Sequence, residues 1–230
     1  MADEIIANNS VPSLGELLPQ IYGSELRREI SSLKPGASLL TVYLGFSKNL
    51  KELGHEFYST AVYDSSIKSM ADIYKNNTGD FLKRSFIFVD YGQIDSGLAP
   101  AGKSVGAVCT VDYLKEWENL ARNDYKTRKD KVVSLFIDRL ENLIPGIKNF
   151  IEYSEAGTSA TVKRYTLNPG GAVYGFAQTP SRKLFESFKK IDNLHFASAW
   201  GRTGGGFSGA IIGGYLCAYN ILRKRQVRSV

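Results

Sequence analysis

The hexapeptide Gly204-Gly205-Gly206-Phe207-Ser208-Gly209 stands between a strand-like stretch, Asn193 to Trp200, and a helix-like one from about Ser208 to Arg223. In that position it satisfies the GxGxxG pattern, whose missing side chains let backbone N–H groups at a helix start approach a phosphate or a ring. Such a turn makes a complete dinucleotide site only when a second strand, ending in Asp or Glu about 20 residues on, holds the ribose. Only a basic tail ending at Val230 follows here. This end of the chain is therefore not a self-contained Rossmann unit.

Two other motifs match in letters but not in context. Gly97-Leu98-Ala99-Pro100-Ala101-Gly102-Lys103-Ser104 satisfies the Walker A pattern, which needs a strand before it and a helix after it. The residues that follow, Val105 to Val111, have strand character, and Pro100 lacks one of the N–H donors that a phosphate cradle uses. A hairpin turn is the expected role, with Lys103 binding no phosphate. Thr203 to Leu222 is an uncharged stretch of 20 residues with Gly205, Gly209 and Gly213 in GxxxG register, long enough to cross a bilayer. Its glycines, Asn220 and two tyrosines dilute the hydrophobicity, and a loop followed by a closely packed helix is the better reading.

Composition narrows the function classes. With 43% hydrophobic and 23% charged residues among 230, one domain or two small ones with a proper core are expected. Two cysteines, Cys109 and Cys217, and two histidines, His55 and His195, argue against a disulfide framework or a metal centre. The net charge of +6 is local. Arg223, Lys224, Arg225 and Arg228 crowd the C-terminus, and the bases from Lys126 to Lys131 lie on a mixed-sign helix. A solvated face is the reading, and nucleic acid is not an expected partner. No basic region followed by an apolar run marks a secretory signal, and Ala2 to Asn9 enters a strand at once, as a chain cut from a longer one would.

Periodicity sets out the remaining elements. Leu14 to Leu33 reads as two short helices, broken at Pro19 and Gly23. Ser38 to Phe46, Ser85 to Tyr91 and Lys103 to Val111 read as strands, with a weaker one over His55 to Tyr63 and a short helix over Ile67 to Tyr74. Leu114 to Ile144 is a long amphipathic helix or a broken pair, ended by Pro145-Gly146. Ile147 to Glu152, Ala172 to Phe176 and Asn193 to Trp200 complete the strands.

Asn193-Leu194-His195-Phe196-Ala197-Ser198-Ala199-Trp200, the glycine run and Ala210-Ile211-Ile212-Gly213-Gly214 together resemble the closing motif of FAD-dependent amine-oxidase-like enzymes. The likeness is to the phytoene desaturase, carotenoid isomerase and retinol saturase branch. Gly157 to Thr166 resembles the family's threonine-rich turn, and Gly170 to Gly175 its Gly-Ala-x-Tyr-Gly strand. Ala2 to Asn8 resembles the strand on which the chain leaves the FAD domain. Ser198 departs from a usual glycine, and Ala199 from a usual polar residue that contacts the cofactor.

The resemblance implies an α/β chain of mixed α+β lobes, the C-terminal part of a two-domain FAD fold without its N-terminal Rossmann unit. Residues 1–11 would be a strand of the FAD domain, 12–153 a substrate-binding lobe, and 154–230 the return to the FAD domain. It implies FAD as cofactor, held on this side by Gly204, Gly205, Gly206, Phe207, Ser208, Gly209 and Ala210, with Ser208 as helix cap. Gly213 and Gly214 would let the helix pack closely. Because the flavin carries the redox chemistry, the family offers no obligatory acid or base, and Tyr174 is the one candidate side chain facing flavin or substrate. His195 is read as core-packed. The implied reaction is desaturation, saturation or isomerisation of an apolar polyene or lipid-like substrate, with the chain inactive without an N-terminal half. The expected location is the cytoplasm, with peripheral membrane contact as an option. A P-loop nucleotide-binding protein using residues 97–104 and a non-catalytic interaction domain stay open as alternatives.

Overall fold

The computed structural model describes residues 2–94, 96–180 and 183–228, the side chains of 227 and 228 excepted, so the end of the basic tail, Arg228's side chain and Val230 included, lies outside the described residues. Contacts divide the chain into two units, Leu39–Thr161 and the terminal segments Met1–Ser38 with Val162–Val230. Residues 12–38, expected with the middle lobe, group with the terminal segments.

The middle unit is a five-stranded sheet of β2 (Ser38–Phe46), β3 (Ser59–Val62), β4 (Phe86–Asp90), β5 (Ser104–Asp112) and β6 (Ile151–Gly157). Their order across the sheet is β3-β4-β5-β2-β6. β4 pairs antiparallel with β3 and β5, and β2 antiparallel with β6. On one face Leu40, Val42, Leu44 and Phe46 of β2 join Phe86, Phe88 and Val108 in a single core. The 22-residue helix α4 (Arg122–Leu143) adds Val132, Val133, Phe136 and Leu140 from one stripe. Each such side chain contributes about 1.5–3 kcal/mol on burial. The helical pattern from Leu114 proves to be a broken pair: a 3-10 turn over Leu114–Glu116, then α4.

The unit's other helix, α3 (Met70–Thr78), adds no side chain to that core, and the sheet's opposite face lies away from it. β2 turns Leu39, Thr41, Tyr43 and Gly45 to it, β4 turns Ile87 and Val89, and β5 turns Val105, Ala107, Cys109 and Val111, as the pairing of Ile87 with Cys109 and Val89 with Ala107 fixes. A solvated antiparallel face alternates apolar with polar. Here the residues turned to it carry no charge, and Thr41 and Tyr43 supply the hydroxyls.

One buried cation needs its partners. Arg84 is 1% exposed and donates to Glu116 Oε1 at 2.9 Å, to Val111 O at 3.0 Å and to Gly79 O, with its guanidinium 4.0 Å from the Phe81 ring centroid. A buried charge satisfied in this way is tolerated, while an orphaned one is costly.

Several expected strands take other forms. Residues 147–150 form a 3-10 turn that buries Ile147, and β6 begins only at Ile151. The threonine-rich turn is largely a helix, α5 (Ser159–Thr166). Its first N–H, that of Ser159, is satisfied by Asp112 at 2.8 Å. Residues 172–176 are irregular with one bridge, Pro35 to Phe176, because Gly170, Gly171 and Gly175 adopt positive φ.

In the terminal unit, β1 (Ile5–Ala7) and β7 (Leu194–Phe196) form a two-stranded parallel sheet, with Ile5 opposite Leu194 and Ala7 opposite Phe196. The helices α1 (Val11–Leu17), α2 (Gln20–Glu29) and α6 (Gly206–Arg228) belong here too. Val11, Leu14, Leu26, Phe176, Phe188 and Trp200 form the core. The fold is thus mixed α/β, with parallel and antiparallel sheets.

Candidate functional site

Parallel pairing of β1 with β7 decides where the glycine loop starts. Ala197 N–H donates to Ala7 O at 3.0 Å, and the Asn8 carboxamide donates to Ala197 O at 2.5 Å. The polar run Asn8-Asn9-Ser10 therefore lies beside the exit from β7. Ser10 caps α1, accepting from Ser13 N–H at 3.2 Å. Past Ala197 the chain turns twice, with Gly201 N–H on Ser198 O at 3.1 Å and Gly204 N–H on Gly201 O at 3.3 Å. Trp200 packs edge-on against Phe176, centroids 4.9 Å apart.

The glycines are required by contact. A β-carbon on Gly175 (φ 76°) would lie 2.1 Å from Ala199 O, and one on Gly205 would lie 2.4 Å from Tyr174 Cα. The loop and the segment 174–175 thus meet backbone to backbone. Of the residues singled out from sequence, Tyr174 and Gly205 come together here, while a β-carbon on Gly204 would meet the Gln178 side chain. A β-carbon on Gly206 (φ 80°) would meet nothing within 4 Å, and Phe207 is 93% exposed. α6 begins at Gly206, so Ser208 lies within its first turn and does not cap it. Gly213 does allow a close approach, its β-carbon position being 2.8 Å from Thr203 Oγ1, whereas Gly214 faces open space.

Beside the loop is a cavity of about 380 Å³, lined among others by Asn8, Asn9, Ser10, Asn168, Ser198 and Ala210. No charged side chain lines it. Of the seven loop residues expected at a cofactor, only Ala210 reaches it, together with Ser198 and Ala199 from the turn before. Asn8 to Ser10 and Asn168 were not singled out from sequence. Their one signal is a run of short polar side chains directly after a strand.

His195 lies on a second cavity of about 700 Å³ along α6. It is half-buried, with Nε2 2.7 Å from Glu4 Oε2. That hydrogen bond holds the Glu4 carboxyl below the usual range. The Walker-like loop ends in Lys103, whose Nζ sits 2.6 Å from Glu152 Oε2. The next element is the strand β5, so the helix a phosphate loop needs does not follow. Among the described residues no helix is long and apolar enough to cross a membrane.

The chain is 25% identical over 228 residues to the all-trans-retinol 13,14-reductase of Danio rerio, covering 86% of this chain and 36% of that protein. It is 30% identical over 132 residues to the chloroplastic prolycopene isomerase of Daucus carota, covering 56% of this chain and 22% of that protein. An oxidoreductase structure from Methanosarcina mazei superposes with a TM-score of 0.52 at 14% identity, over 96% of this chain and 43% of that one. No protein-family model matches. The fold is thus one found in an oxidoreductase. The relatives are a reductase and isomerases, and they support a place for the chain in a phytoene desaturase, carotenoid isomerase and retinol saturase-like family. The chain spans about a third of the length of the reductase that it matches.

Proposed function

We propose that this chain supplies the flavin-side loop and the substrate lobe of an FAD-dependent oxidoreductase or isomerase acting on an apolar polyene or lipid-like molecule. The observation that carries the reading is the backbone contact of Gly205 with Tyr174 beside a neutral polar cavity. The donor set suits a flavin: carboxamides and hydroxyls of Asn8, Asn9, Ser10 and Ser198 for neutral polar atoms, and a helix start for negative charge. Ala210 would line it from α6, and the backbone of Gly204 to Gly209 would approach it from the loop beside the cavity, with Tyr174 next to that loop. A bound flavin supplies hydride transfer. The unpaired N–H groups of the first turn of α6 would offset negative charge there. The names of the relatives support an apolar substrate. The stripe Phe207, Ile211 and Tyr215, exposed on α6 ahead of Arg223 and Lys224, supports peripheral contact with a membrane surface.

By itself this loop is too little to retain the cofactor. A helix end contributes about 0.3–1 kcal/mol, and up to about 2 kcal/mol when partly buried, against roughly 8 kcal/mol for micromolar affinity. The adenine and ribose contacts would come from an N-terminal half. The test is a chimera in which this chain replaces the matching segment of the Danio rerio reductase. The folded chimera is expected to purify yellow, and its Gly206→Val variant and the 230-residue chain colourless, because a β-branched residue resists positive φ and crowds the approach. A folded but colourless chimera, or full flavin in the Gly206→Val protein, would sink the assignment.

A further inference from the structure

The helix α4 carries two stripes. Val132, Val133, Phe136 and Leu140 face the core. Thr127, Lys131, Ser134, Asp138 and Asn142 recur every three or four residues on its outer side, and all are exposed. Between that outer stripe and the turn around Leu82, which joins α3 to β4, is a cavity of about 570 Å³. That is a usual size for a small-molecule site.

Arg139 lines this cavity and is half-buried. Its Nη1 donates to Phe81 O at 2.8 Å and to Arg84 O at 2.7 Å. Its guanidinium lies over the rings of Phe86 and Phe136, 4.5 and 5.5 Å from their centroids. Both Nη1 hydrogens are thus used, and the group is fixed in place. Holding the turn requires Nη1 alone. Nε and Nη2 have no acceptor among the described residues, and no carboxylate there lies within ion-pair distance of them. Burial holds the Arg139 pKa below the usual arginine value, with the charge of Asp64 opposing this. A fixed, partly desolvated cation short of a counter-ion favours an anion brought to it.

The edge left over, Nε–H beside Nη2–H, has the spacing of a carboxylate's two oxygens. Thr127 and Ser134 add hydroxyls to the wall, Asn142 a carboxamide and Lys131 an ammonium. Two acids line it as well. Asp138 is held by Lys148, Nζ to Oδ1 2.6 Å, and Asp130 would repel a doubly charged ligand. Leu82, 59% exposed, and the half-buried Leu135 supply apolar contact.

We propose that this cavity binds a singly charged carboxylate with a short apolar chain, the carboxylate on the Nε–Nη2 edge of Arg139 and the chain on Leu82 and Leu135. The site lies wholly within the middle unit and does not rest on the flavin reading.

Octanoate is the probe, titrated calorimetrically into the full chain, with octanol and inorganic phosphate for comparison. Octanoate is expected to bind with a dissociation constant of about 1 mM or below, and octanol and phosphate at least about tenfold more weakly. Ser134→Asp sets a carboxylate beside the anion from an exposed helix position, and Arg139→Gln removes the fork. Each is expected to weaken octanoate binding by about tenfold or more. Because Arg139 also holds the turn, its variant must keep the parent's circular dichroism, and Ser134→Asp decides if it does not. Absence of octanoate binding, or binding that Ser134→Asp leaves unchanged, overturns the site. Octanol binding as tightly as octanoate would make the cavity a plain apolar groove. Phosphate binding as tightly would make it a general oxyanion site with no use for the chain. Either outcome overturns the proposal.

Discussion

The carboxylate of Asp112 accepts the indole N–H of Trp117 at 2.9 Å, and both residues are sealed from solvent. Its second oxygen takes the Ser159 N–H at 2.8 Å, and Arg84 Nη1 lies 4.0 Å away. One side chain at the end of β5 thus fixes the entry to α4 and the start of α5.

Asp112→Ala should therefore cost about 3–5 kcal/mol, because it leaves an indole, an amide and part of a guanidinium's compensation unmet in the interior. Urea unfolding of both proteins measures it. A loss below about 1 kcal/mol would mean that water replaces the carboxylate.

These contacts explain which parts of the fold could be read from sequence. β2, β4, β5 and α4 carry their own period, so Leu40 to Phe46 and Val132 to Leu140 announce strand and helix without their neighbours. β6 does not, for Glu152, Ser154 and Glu155 are polar, and what makes it a strand is pairing with β2. α5 was hidden because its cap, Asp112, lies far away in sequence. The glycine loop was legible because its contacts forbid side chains. The cavity beside it was not, since Asn8, Asn168 and Ser198 meet only through the β1–β7 pairing.

Gly205 and Gly214 should respond oppositely to alanine. At Gly205 the new methyl meets the Tyr174 backbone, which cannot rotate away, so Gly205→Ala should cost about 1–3 kcal/mol. At Gly214, inside α6 and facing open space, alanine should stabilise by roughly 0.5–1 kcal/mol. Thermal melts of the two variants decide. Equal destabilisation would show that the loop yields.

Lys103 should bind no nucleotide. Its ammonium is held by Glu152 at the start of a strand, and titration calorimetry with ATP and magnesium should show no heat of binding. Lys103→Ala should change stability by no more than about 0–1 kcal/mol, as expected for a half-exposed ion pair. A micromolar dissociation constant abolished by that substitution would restore the nucleotide-binding alternative.

The Glu4–His195 pair should make the terminal unit sensitive to acid. The hydrogen bond from His195 is the largest cause of the lowered Glu4 carboxyl, opposed by desolvation and helped by the charges of His195 and Arg225. A carboxyl whose folded value is depressed binds its proton more readily in the unfolded chain. The stability it contributes is therefore fully present above the unfolded value, about 4.3 for a glutamate, and is lost as pH falls through the lower folded value. Glu4→Gln removes this contribution without changing shape. Urea midpoints of the two proteins should differ by a constant amount from pH 5 to pH 6 or so and converge as pH drops below about 4. A gap that stayed the same down to the lowest pH would show that Glu4 acts through packing and not through its charge.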